Sequence, residues 1–187
     1  METVYIGLAA GPGCGKSTTA ALLFGKMKVA GYQTEQALEY AKDLYWEKRE
    51  KVARLQPYIS IKQLCRQYRL LGEVEFVVTD SPLILSLAYI SPKAFGCTPS
   101  FAPYLLETFN LFNNRIYFLE RNIEVHPYVQ AGRYQTLEKA IEKDQQILSL
   151  LEENGIPYKK VPVLPGDQTA ELILDDVTAE YGRLLER

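Results

Sequence analysis

Gly11-Pro12-Gly13-Cys14-Gly15-Lys16-Ser17-Thr18 follows a short apolar run, Val4–Ala10, and opens a segment of helical pattern, Lys16–Ala30. The apolar run shows no polar alternation, as expected of a parallel strand covered on both faces. A strand that enters a glycine-rich turn and leaves it as a helix can hold phosphates. Glycines let the backbone curl so that the N–H groups of Gly13 to Thr18 point inward. The helix starting near Lys16 adds the positive end of its dipole. Lys16 can then reach the β- and γ-phosphates of a triphosphate, the Ser17 hydroxyl suits Mg²⁺, and Thr18 can donate to the α-phosphate. The stretch therefore reads as a P-loop. Gly11, Gly13, Cys14, Gly15, Lys16, Ser17 and Thr18 are its expected nucleotide-binding residues, with ATP and Mg²⁺ as cofactors.

One position departs from the full pattern G-x-x-x-x-G-K-[ST], which asks for glycine where this chain has Ala10. Alanine does not readily adopt positive φ, so Gly11 is expected to absorb the turn. Cys14 reads as a small loop residue. A helix N-terminus lowers a thiol pKa, which would also permit a redox switch.

Outward from the loop, strand and helix patterns alternate. Gln33–Leu38 reads as a second strand and Glu39–Leu55 as a helix stopping before Pro57. A further helix is expected from Ser60, with Gln63 completing a capping box. Val74–Thr79 reads as a third strand closed by Asp80-Ser81-Pro82, then a short apolar helix to about Ile90 and a proline-containing loop, Ser91–Pro103. A helix over Ala102–Phe112 and a fourth strand, Arg115–Leu119, come next. A polar stretch, Glu120–Gln135, precedes a helix over Leu137–Glu153, a last strand at Tyr158–Val163 and a last helix at Gln168–Leu185. The alternation predicts a three-layer α/β fold: a five-stranded parallel sheet with helices on both faces. The 187 residues suit one domain, 1–187, with a small lid at about 121–135.

Composition excludes several classes. Net charge is -2, which argues against a nucleic-acid coat protein but leaves room for a basic face. Such a face exists in the sequence: Lys42–Arg69 carries eight cations against three carboxylates, whereas Asp167–Arg187 carries six carboxylates against two cations. The three cysteines, Cys14, Cys65 and Cys97, form no pair or ligand cluster and read as free thiols. Met1-Glu2-Thr3 lacks the start of a signal peptide, and no apolar run approaches a membrane span. The expected location is the cytoplasm, that of a host if the source is viral. The sequence assigns no oligomeric state.

Regulatory GTPases need D-x-x-G and N-K-x-D, and neither occurs. Transport and remodelling ATPases usually place an acid directly after the strand Asp, where this chain has Ser81. What remains resembles the small P-loop kinases of the nucleoside and nucleotide kinase group, thymidylate-kinase-like or nicotinamide-riboside-kinase-like. Glu39-Tyr40-Ala41-Lys42 is similar to the E-Y-A-R stretch of nicotinamide riboside kinases. The resemblance implies that Glu39 serves as base for the acceptor hydroxyl and that Asp80 supports Mg²⁺ or the acceptor. It implies that Arg121 and Arg133, the latter in Gly132-Arg133-Tyr134-Gln135, are lid arginines. Catalytic candidates are thus Lys16, Asp80, Glu39, Arg121 and Arg133, and metal candidates Ser17 and Asp80. His126, alone in a polar stretch, reads as a surface residue. Tyr40, Trp46, Tyr89 and Tyr128 could stack on a base or pack in the core.

The implied activity is ATP- and Mg²⁺-dependent transfer of a γ-phosphoryl group to a hydroxyl of a nucleoside- or nucleotide-type acceptor. The Asp-Ser-Pro and Gly-Arg-x-Gln stretches are also compatible with the bacteriophage branch that phosphorylates 5-hydroxymethyluracil in DNA, so the acceptor partner is a nucleoside, a nucleotide or DNA. A different class stays open beside it: a nucleotide-binding regulator with slow ATPase activity and no small-molecule acceptor.

Overall fold

In the computed structural model, which describes residues 2–91, 94–129 and 136–181, strand β1 (Val4–Ala9) is buried along its whole length. It lies at the centre of a five-stranded sheet ordered β2 (Thr34–Gln36), β3 (Phe76–Thr79), β1, β4 (Asn113–Glu120), β5 (Tyr158–Pro162). Every neighbouring pair is parallel, with Ile6 of β1 opposite Val78 on one side and Arg115 on the other.

Alternation along the strands sorts the core into two faces. Ile6 and Leu8 of β1, with Tyr117 and Leu119 of β4, meet helices α1 (Lys16–Val29) and α7 (Gln168–Tyr181) through Leu23, Met27, Ile173 and Val177. Ala9, Ile116 and Phe118 face the other way. They pack on a 3₁₀ helix (Leu83–Tyr89), on helix Phe101–Phe109 and on helix Leu137–Glu153. A fully buried aliphatic such as Leu23 or Ile147 contributes about 1.5–3 kcal/mol. The result is the expected three-layer α/β fold.

The chain passes from β1 to β2 and β3 on one side of the sheet, then crosses to β4 and β5 on the other. Ligands of open parallel sheets bind outside the carboxyl ends of strands at such a reversal. The P-loop leaves β1 at this place and Asp80 leaves β3 beside it.

The segment between β2 and β3 departs from expectation. The helix expected over Glu39–Leu55 is two: α2 (Tyr40–Trp46) and α3 (Glu50–Ala53). The break is a Schellman motif. Lys48 N–H donates to Tyr45 O at 3.1 Å, Arg49 N–H donates to Leu44 O at 2.9 Å, and Lys48 takes φ 55°. Glycine usually fills that left-handed position, so nothing in the sequence marked it. Helix α4 (Gln56–Tyr68) starts before the expected Ser60, with Pro57 inside its first turn, where no intrahelical N–H bond is lost. The Ser60–Gln63 capping box does not form. Ser60 Oγ donates back to Gln56 O, and buried Gln63 accepts from Tyr40 N–H at 2.9 Å, tying α4 to the start of α2.

The other boundaries move little. Helices α5 (Phe101–Phe109) and α6 (Leu137–Glu153) follow, and α6 has its expected limits. Helix α7 is described to Tyr181, so its expected extension to Leu185 lies outside the described residues. Among the described residues no helix is long and apolar enough to cross a membrane.

Candidate active site

Gly13 and Gly15 take φ of 72° and 89°, the left-handed conformations that curl the loop. Gly11 does not take positive φ, contrary to expectation. Its glycine serves close approach instead. A Cβ there would run into the Ala140 carbonyl oxygen and stand 2.7 Å from Asp144 Oδ1, both on α6. Ala10 is buried in the core beyond β1, and its carbonyl faces the loop. Lys16 Nζ donates to Ala10 O at 2.8 Å and to Gly11 O at 3.0 Å, so the lysine folds back over the loop. Burial pulls its ammonium below the usual lysine range, while Glu39, Cys14, Asp80 and Asp144 pull it the other way.

Ser17 Oγ donates to Asp80 Oδ2 at 2.5 Å, and Glu39 N–H donates to Asp80 Oδ1 at 3.0 Å. One buried carboxylate at the tip of β3 thus joins the P-loop hydroxyl to the residue that opens α2. Asp80 does not cap the 3₁₀ helix, whose first position is preceded by Pro82. Glu39 is half-buried at the N-cap of α2, and its carboxylate does not cap that helix. Ser17 and Asp80 together offer the hydroxyl and carboxylate oxygens that a hard cation takes. Among the described residues no cluster of three or more His, Cys, Asp or Glu side chains could hold a metal, so a cation here would complete its shell with phosphate and water.

Arg121 is not a free lid arginine. Its Nε donates to Asp144 Oδ2 at 2.7 Å, its Nη2 donates to Asp144 Oδ1 at 3.2 Å and to Pro12 O at 2.9 Å, and both side chains are 9% exposed. Asp144 also accepts from Gly11 N–H at 2.5 Å. This buried pair clamps the first half of the P-loop to α6 and to the end of β4. Arg121 Nη1 is buried with no partner among the described residues. Arg133 lies outside the described residues.

Cys14 points away from the site. It is 2% exposed within the sheet core, and its thiol lies 3.4 Å from Leu119 O. Burial pushes the thiol up to about 11, the reverse of the lowering expected from the helix end. Thr18 is exposed at the start of α1.

Sequence reasoning missed three residues. Asp144 occupies the buried stripe of α6 with Ala140, Ile147 and Leu151, and a lone carboxylate on an apolar helix face was the available signal. Tyr89, read only as a possible stacking residue, is 40% exposed overall, and its hydroxyl is pushed up by desolvation and then by the charges of Glu39 and Asp144. Lys143 Nζ stands 4.8 Å over its ring and donates to Ala88 O at 2.7 Å. His126, read as a surface residue, is half-buried, and its ring stands where a Cβ on Gly15 would meet it at 3.6 Å. Tyr40 meets Tyr58 edge-on at 5.7 Å, and Trp46 is 69% exposed.

A parallel sheet, a P-loop at its reversal and an acid at the neighbouring strand tip define a P-loop protein with a nucleoside-kinase-like fold. A family model described as an AAA domain matches residues 6–168, and the chain belongs to that AAA domain family. Among solved structures, the deoxyadenosine kinase from M. mycoides with bound dATP is similar, with a TM-score of 0.53 and 15% sequence identity. The match covers 95% of this chain and 100% of that one, and at this identity the likeness is one of fold. No curated protein matches the sequence.

Proposed function

We propose that the chain is an ATP- and Mg²⁺-dependent kinase acting on a hydroxyl of a nucleoside- or nucleotide-type acceptor. The observation that carries this reading is the node at Asp80, which joins Ser17 of the P-loop to Glu39 at the end of β2. An ATPase needs only the donor half of this node. A kinase needs an acid placed between the donor and a second substrate.

In this mechanism the N–H groups of the loop and Lys16 hold the triphosphate, and Lys16 leaves the Ala10 and Gly11 carbonyls to do so. Ser17 and Asp80 would hold Mg²⁺, which would neutralise charge on the phosphates. Glu39 or Asp80 accepts the acceptor hydroxyl proton late in the transfer. Arg133, by its resemblance, offsets charge on the moving phosphoryl group, while Arg121, paired with Asp144, braces the loop at Pro12. Losing one such contact costs about 3–4 kcal/mol of transition-state stabilisation.

The acceptor reading draws on α2 to α4. Lys42, Lys48, Lys51, Arg54 and Lys62 are exposed, and among the described residues no carboxylate pairs with them. Lys48, Arg49, Lys51 and Arg54 line a shallow depression. Arg66 stacks over the Tyr40 ring at 5.1 Å and donates to Leu38 O, one residue before Glu39. Arg66, itself paired with Asp43, and Tyr40 stand next to Glu39, and the cationic face of the same helices favours a phosphate-bearing acceptor over a neutral sugar. The test is transfer of labelled γ-phosphate to nucleosides, nucleoside monophosphates and DNA with or without hydroxymethylated pyrimidines. Label is expected in an acceptor, monophosphates ahead of nucleosides. Transfer to no acceptor, with ATP still bound, contradicts the kinase reading and favours an ATPase regulator. Transfer to DNA alone replaces the free nucleotide with the polymer.

A further inference from the structure

We propose that His126 is a donor-binding residue, whose imidazole closes the P-loop over Gly15 and donates a hydrogen bond to the phosphate chain of the nucleoside triphosphate. The inference rests on the nucleotide-binding reading of the P-loop and adds to it a contact that no motif supplies.

The geometry begins at Gly15, the N-cap of α1, with φ 89°. A Cβ built there would lie 3.6 Å from His126 Cδ2, 3.7 Å from Cγ and 3.8 Å from Nε2. The ring thus stands at the edge of the space that a side chain on the last glycine of the loop would fill, at the end of the helix where inward N–H groups and the dipole favour an anion. The imidazole makes no hydrogen bond among the described residues, so its N–H remains available.

The segment that carries the ring is built to hold it there. Asn122 Oδ1 accepts from Glu124 N–H at 3.1 Å and from Val125 N–H at 3.3 Å, and His126 N–H donates to Asn122 O at 2.9 Å. Val125 packs against the core cluster that contains Cys14 and Leu119. One turn is thus pinned both by its own side chain and by the core.

A second observation from the same segment points to an anion. Arg121, five residues earlier, is 9% exposed and reaches Pro12 O through Nη2, while its Nη1 is buried without a partner among the described residues. A buried guanidinium nitrogen with no acceptor costs free energy unless a ligand satisfies it. Arg121 reaches the loop at Pro12 and His126 approaches it at Gly15, and both carry N–H donors of the kind a polyphosphate requires.

The chain has a single histidine, so its ring protons report this site alone. The experiment follows the imidazole signals by NMR while Mg²⁺ with tripolyphosphate, Mg²⁺ with ATP, and adenosine are added to the full chain. Calorimetry measures binding in parallel. The expected result is a shift with tripolyphosphate and with ATP that saturates along the calorimetric curve, and none with adenosine. His126→Ala is expected to raise the ATP KM about tenfold, the loss typical of a hydrogen bond to a charged group, with kcat within about twofold. His126→Gln, which keeps an N–H donor, recovers part of that loss. Heat of ATP binding without movement of the His126 signals overturns this inference and leaves the P-loop reading intact. Movement with adenosine alone overturns the phosphate contact. Absence of heat with both phosphate ligands overturns the inference and the P-loop reading together.

Discussion

The donor side of the molecule and the acceptor side are built differently. Around the P-loop, polar groups are buried and paired across long stretches of chain: Gly11 with Asp144, Arg121 with Asp144 and Pro12, Ser17 with Asp80. Between β2 and β3 the chain breaks into two short helices, α2 and α3, before α4, and most of the cations face solvent. The donor in the proposed transfer is a nucleoside triphosphate at every turnover, so a rigid, preorganised cradle serves each one. The acceptor wall differs in kind. Its charges are cheap to change and carry little of the fold, which is where a family can alter its substrate while keeping its chemistry.

Substitutions in the two regions should therefore separate activity from stability. The largest effect is expected at Lys16. Lys16→Ala should lower transfer by at least about 10³-fold while the far-UV spectrum and melting temperature hold, because the side chain binds only loop carbonyls. Asp80→Asn should follow, with a loss of about 10²-fold, and should exceed His126→Ala in steady-state assays. Retained activity in Lys16→Ala would erase the contrast at its root.

Asp144→Ala is the next test and acts on stability as well. It leaves Arg121 buried and unpaired, and urea unfolding should show a loss of about 3–5 kcal/mol. Replacing both, as Asp144→Leu with Arg121→Met, should restore most of that stability while donor binding stays weak. A double variant that recovers full ATP affinity would make the pair a brace and nothing more.

On the acceptor side, Lys48→Ala, Lys51→Ala and Arg54→Ala combined should leave unfolding free energy within about 0.5 kcal/mol of the parent. The same variant should raise KM for a phosphate-bearing acceptor and flatten its dependence on salt, with KM for ATP unchanged. An unchanged acceptor KM would remove these cations from the acceptor wall.

The smallest effect concerns Cys14. With its thiol near 11, only about one in 10³ molecules carries the thiolate at pH 8. A thiol reagent at that pH should label exposed Cys65 first and Cys97 next, and Cys14 only on unfolding or as pH rises toward 11. Rapid labelling of Cys14 in the folded protein would mean that the loop opens to solvent.

The two sides also differed in how far the sequence revealed them. The donor side was legible because its signals are local. β1 is a continuous apolar run, the P-loop is a fixed spacing, and α6 ends at Asn154-Gly155. The acceptor side was obscured by chemistry that leaves no usual mark. Lys48 ends α2 in a conformation that glycine normally signals, and Pro57 begins a helix where it was read as ending one. Gln63 went into a cross-helix bond with the Tyr40 backbone rather than into a cap. His126 and Asp144 depend on tertiary approach to the loop from sites more than a hundred residues away, so spacing alone could not place them.

The central claim is that a donor cradle and an acceptor wall meet at the Asp80 node to move a phosphoryl group between them. The direct measurement is the fate of the labelled γ-phosphate when ATP, Mg²⁺ and a nucleoside monophosphate are present together. The account predicts one label on the acceptor for each ADP formed, and little free phosphate until the acceptor is withdrawn. Label appearing only as inorganic phosphate, at a rate indifferent to every acceptor supplied, would contradict it.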